Sequence, residues 1–69
     1  MTSESDLATA ASAADPKIGL RAVRALRRLL EELERTQVRR AREQGWSWQE
    51  IGEALDVSRQ AVHKKHGKD

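Results

Sequence analysis

Residues able to do chemistry gather in one short run near the end of this 69-residue chain, "SRQAVHKKHG", positions 58 to 67. Ser58, Arg59, Gln60, His63 and Lys64 bring hydroxyl, guanidinium, amide, imidazole and ammonium groups to a single segment. Placed on the outer face of a helix whose Val62 turns inward, they form a polar, basic surface with donors and acceptors suited to base edges. His63 and His66 stand three apart and could share a metal, but zinc sites take three or four protein ligands. The sequence has no cysteine and no further histidine. Nor does it carry a nucleophile with a matching base that three small helices could enclose in a cleft. The expectation is therefore a binding protein: not an enzyme, with no metal, no cofactor and no small-molecule substrate.

The elements that must present this face are legible just upstream. Gly45 supplies the left-handed residue that ends a helix. Ser47-Trp48-Gln49-Glu50 then has the form of a capping box, with Trp46 placed to staple onto Ile51. This predicts a helix from about Trp48 to Leu55. Asp56-Val57-Ser58 is the corner, and Ser58 caps a last helix from Arg59 to about His66, ended by Gly67. Gly52 allows the two short helices to approach closely, while Ile51, Leu55, Val57 and Val62 point into the wedge between them. Of the two tryptophans, at least one is expected to be structural, with Trp48 the more exposed and covering the edge of the core.

Further upstream, Asp15-Pro16 reads as a helix N-cap followed by a proline where its missing N–H costs nothing. The pattern is helical from there to Gln44, with Gly19 a weak point near the start. Val23, Leu26, Leu30 and Leu33 step by three, four and three, and Ala22 and Leu29 widen that seam. Leu33, Val38 and Ala41 suffice to support the short helices. Val23, Leu26, Leu29 and Leu30 extend beyond any surface those helices can cover, and an apolar patch of this kind marks an interface. Residues 1–14, rich in Ser, Thr and Ala, are expected to be a disordered acidic tail.

Charge agrees with this division. The formal net charge is +2, but the first fifteen residues hold three acids and no Lys or Arg, which leaves 13 basic and 8 acidic groups in the remainder. A basic folded part points to nucleic acid. No apolar run approaches the roughly 20 residues of a membrane span.

The segment "RAREQGWSWQEIGEALDVSRQAVHKKHG" resembles bacterial helix-turn-helix DNA-binding domains, particularly the sigma-factor region-4-like variety. It looks like small regulators of high-GC bacteria with an "SW-x-x-IG-x-x-L-x-V-S-R-Q-A-V" core, a module that in some of them precedes a Clp-type N-terminal domain. The likeness covers about residues 38 to 67. It implies that Ser58, Arg59, Gln60, His63 and Lys64 face the major groove, with Arg59 suited to guanine and Gln60 to adenine. It also implies phosphate contacts for Ser47 and Gln49 at a helix start, for Lys65 and Lys68, and for Arg40 or its neighbours Arg39 and Arg42. Two departures stand out. Asp56 occupies the turn where glycine is commonest, and a left-handed aspartate should preserve it with some strain. Lys65 falls where many relatives have an apolar residue, so His66 is expected to take over part of that packing.

The expected protein is all-α: a tail over 1–14, a long helix over 15–44 and a helix-turn-helix over 45–69, three helices in all. Its expected role is a cytoplasmic, nucleoid-associated transcriptional regulator that binds double-stranded DNA as a homodimer paired through Val23, Leu26, Leu29, Leu30 and Leu33. The competing expectation is a protein-interaction adaptor whose leucine-rich helix binds a sigma factor, a polymerase subunit or a Clp-type component.

Overall fold

Residues 4–67 are described by the structure, a computed structural model. Four helices follow one another: α1 (Glu4–Ala11), α2 (Pro16–Glu43), α3 (Trp48–Leu55) and α4 (Arg59–His66). Among the described residues the fold is all-α, with one helix more than the three expected. Between Leu33 and Glu34 the chain divides into two compact units.

The extra helix lies in the first unit, within the stretch expected to be a disordered tail. Alanine-rich sequence favours helix, and Glu4 and Asp6 sit in its first turn, where negative charge suits the dipole. Leu7, Ala10 and Ala11 are half-buried. Gly19 makes this possible: a Cβ there would lie 3.4 Å from the Ala11 carbonyl and 3.6 Å from that of Ala13. Its bare backbone is thus a seat for the end of α1, and α2 does not fray at this point. Asp15 caps α2, its Oδ1 accepting the Lys17 N–H at 2.9 Å, and Asp15 O takes the first helical bond from Gly19 at 2.9 Å.

The second unit holds the end of α2 with α3 and α4. Two corners in it use the same device. At Gly45 (φ +87°) the Trp46 N–H donates to Ala41 O at 2.9 Å and the Gly45 N–H to Arg42 O at 3.0 Å. At Asp56 (φ 59°, ψ 41°) the Val57 N–H donates to Gly52 O at 2.9 Å and the Asp56 N–H to Glu53 O at 3.2 Å. Both are Schellman arrangements, which satisfy the last carbonyls of a helix while turning the chain. Between the corners, the Ser47–Glu50 capping box is present in both directions, at 2.9 and 3.1 Å.

The core of this unit is small. Val38 of α2, Ile51 of α3 and Val62 of α4 are buried, with Ala41 and Trp48 packed against them. Ile51 and Val62 converge as expected, but Leu55 and Val57 do not join them: they remain 39% and 47% exposed. Leu55 is the last residue of α3 and Val57 follows the left-handed turn, so both fall at the rim of the wedge. For the tryptophans the order of exposure is reversed, while Trp48 covers the core as expected. Trp46 is the exposed one, while Trp48 is half-buried on the core.

Candidate nucleic-acid interface

Helix α4 separates its residues by chemistry. Val62 is buried at 2% exposure and holds the helix to the core. Arg59, Gln60, His63 and Lys64 are exposed. Ser58 precedes them as N-cap, its Oγ accepting the Ala61 N–H at 3.0 Å. Its oxygen therefore serves the helix, and its hydroxyl proton is what it can offer a ligand. Arg59 opens the first turn of α4 and makes no ion pair among the described residues. A cation at a helix N-terminus is disfavoured by the dipole, so this placement has no structural benefit to explain it.

The end of α4 is fastened to α2. His66 Nε2 lies 2.6 Å from Glu34 Oε2, with the His66 side chain only 7% exposed, and Lys65 Nζ lies 3.1 Å from the same oxygen. The bond from His66 and, behind it, the Lys65 ammonium hold the Glu34 carboxyl below the usual glutamate range, against the opposing effect of burial. His66 thus packs as expected. Lys65, expected on phosphate, is half engaged by Glu34 and keeps only part of its donor capacity. From sequence Glu34 had no role beyond charge balance; its partner His66 is 32 residues away, where local spacing carries no signal.

At the start of α3, Ser47 and Gln49 are exposed. The Glu50 carboxylate already accepts the Ser47 N–H, and that bond keeps it below the usual range. Gln49 Nε2 donates to Glu53 Oε1 at 3.3 Å. An approaching phosphate would therefore meet a carboxylate at this helix start.

Beside α4 runs a groove of about 670 Å³ lined by Arg35, Val38, Arg39, Arg42, Trp48 and the residues from His63 to Gly67 that face it. Trp48 is its wall. The Arg42 guanidinium sits 4.5 Å above the Trp48 ring, and the His63 ring meets the same indole at 5.2 Å with a 60° tilt. Arg42 Nη1 also donates to Trp46 O at 2.8 Å. The two histidines thus contact different groups, His63 an indole and His66 a carboxylate. Arg40 lies elsewhere, lining a second hollow with Gln37, Ala41, Trp46 and Leu55. Of the three candidate arginines, Arg39 and Arg42 share the groove with His63. The spacing of Arg35, Arg39 and Arg42 around buried Val38 was the readable signal for that stripe. Lys68 lies outside the described residues.

In the first unit, the proposed pairing seam is split by exposure. Val23, Leu26 and Leu29 are half-buried, whereas Leu30 is 63% and Leu33 48% exposed. Ile18 and Leu20 are exposed as well.

Two short helices joined by a left-handed corner, resting on the end of a third and carrying an exposed basic face, define a helix-turn-helix domain of the DNA-binding kind. Residues 29–65, more than half of the chain, match the homeodomain-like domain, and the chain belongs to that family. No curated protein and no solved structure matches it. No helix among the described residues is long and apolar enough to cross a membrane.

Proposed function

We propose that this chain is a sequence-specific, homodimeric transcriptional regulator, with α4 as the helix that enters the major groove. The carrying observation is the division of α4: Val62 and His66 bind it to the unit, while Arg59, Gln60, His63 and Lys64 stand exposed together. Arg59 is assigned to guanine and Gln60 to adenine, each through two hydrogen bonds. His63 and Lys64 extend the reading, and Ser58 contributes its hydroxyl proton. Lys65, Lys68 and Arg40 are assigned to phosphates, which set register without selecting sequence, whereas Ser47 and Gln49, engaged by Glu50 and Glu53, are left out of that set. The protein regulates by occupancy rather than catalysis, in the cytoplasm of a bacterium, and belongs to the sigma-factor region-4-like variety of helix-turn-helix.

The exposed Leu30 and Leu33 support pairing of two copies through α2. A two-fold pair places two reading helices in successive major grooves, about 34 Å apart. Selection of bound sites from random DNA, repeated with Arg59→Ala, tests the reading. The variant should lose about 1–3 kcal/mol of discrimination at one base position of each half-site. An unchanged selected sequence would show that α4 does not read bases.

A further inference from the structure

The groove beside α4 carries more positive charge than the fold requires. Arg35, Arg39 and Arg42 line it together with His63, and the Lys65 and His66 that complete the lining share the Glu34 carboxylate between them. Arg35 and Arg39 are exposed and make no ion pair among the described residues. Arg42, by contrast, is held in place by the Trp46 carbonyl and the Trp48 ring. Like charges converging on one concave surface raise the local positive potential and draw an anion. His63 belongs both to this lining and to the exposed face of α4, so the groove continues the surface proposed to meet DNA.

We propose that this groove holds the phosphodiester backbone of the same duplex that α4 enters, an inference that rests on the DNA-binding reading. Extent favours a strand over a small anion. Arg35 and Arg42 are seven residues apart on one helix, a rise of about 10 Å, longer than a single phosphate and enough to meet successive phosphates of a strand, whose charges recur about every 3.4 Å of duplex axis. The groove fixes how the duplex lies against α2 and adds affinity for every sequence equally.

The test compares wild type with Arg35→Gln/Arg39→Gln and with Arg35→Lys/Arg39→Lys, measuring duplex binding over a range of salt. Circular dichroism first establishes that helix content and melting are retained, as exposed, unpaired side chains predict. The glutamine pair should weaken binding to selected and unrelated duplexes by the same factor and lower the log–log salt slope by about 1.8, two contacts at about 0.9 each. Between about 50 and 200 mM salt, wild type then loses about 12-fold more affinity than the variant. The lysine pair should restore the slope. An unchanged slope in the glutamine pair, with wild type binding well, overturns the groove assignment and leaves the role of α4 standing. Failure of wild type to bind any duplex overturns the DNA reading itself. A parallel arm titrates inorganic tripolyphosphate and follows the Trp48 indole N–H by NMR, assigned with Trp46→Phe. If tripolyphosphate saturates that signal while the glutamine pair binds duplex as wild type does, the groove belongs to a free anion and the strand assignment falls.

Discussion

Replacing Gly52 by alanine sets two effects of opposite sign against each other at the corner on which the helix-turn-helix depends. In an ordinary helix interior the change is favourable, by about 1 kcal/mol of helix propensity. Here the new Cβ would stand 2.8 Å from the Val57 carbonyl oxygen and 3.3 Å from the Arg59 nitrogen. All the nearest obstacles are backbone, so no side chain can swing aside. Restoring ordinary contact means moving the corner by about half an ångström, while the bond from the Val57 N–H to Gly52 O at 2.9 Å holds it in place. Overpacking of this kind costs about 1–3 kcal/mol, and weakening that bond about 0.5–1.5 kcal/mol more. The clash wins, with a net loss of about 0.5–3.5 kcal/mol. For a domain of this size each kcal/mol moves Tm by about 4–8 °C, so thermal melting followed by circular dichroism should fall well below wild type. Gly45→Ala is the companion: nothing lies within 4 Å of its Cβ, but φ is +87°, so it reports backbone strain without collision. A Gly52→Ala protein that melts at or above the wild-type temperature, with the Trp48–His63 ring contact preserved, would refute the close approach of α3 and α4.

Asp56→Gly should stabilise by about 0.5–1 kcal/mol, because the left-handed φ of 59° strains any residue with a Cβ; a lower melting temperature in the variant contradicts that account. Glu34→Gln should flatten the acid limb of stability. The Glu34 pKa is lowered by folding, so its contribution is complete above the ordinary glutamate range and is lost as pH falls through the lowered value. Denaturant midpoints measured across acid pH should therefore converge for the two proteins, whereas curves that stay parallel exclude the linkage. Leu30→Glu/Leu33→Glu should convert a dimer to a monomer in sedimentation equilibrium while leaving helix content intact; a wild-type mass equal to one chain removes the basis for pairing.

The parts of this fold that sequence made legible are those decided within a few residues. Gly45, Ser47–Glu50 and Ser58 announce helix ends because each serves backbone groups three or four positions away. Gly52 was readable for a related reason, since close crossing of two short helices needs a residue without a side chain. What sequence missed depends on how helices cross. Leu55 and Val57 have the spacing of core residues, yet at the end of α3 and just past the corner they stay 39% and 47% exposed. The partnership of Glu34 with Lys65 and His66 follows only once the end of α4 meets α2. Trp46 is more exposed than expected and Trp48 less so, because the first residue of α3 packs against the Val38, Ile51 and Val62 cluster. Helix α1 was missed because its partner surface, the bare backbone at Gly19, looked like a defect in a different helix.

An eight-residue helix such as α4 is too short to persist alone in water. The Ser58 cap, buried Val62 and the His66–Glu34 contact give it shape before any ligand arrives, so its ordering entropy is met during folding and does not weaken binding. Those anchors lie apart from Arg59, Gln60 and Lys64. On the proposed reading, exchanging these three would change which duplex is preferred without rebuilding the scaffold, whereas replacing His63 would also disturb its contact with the Trp48 indole.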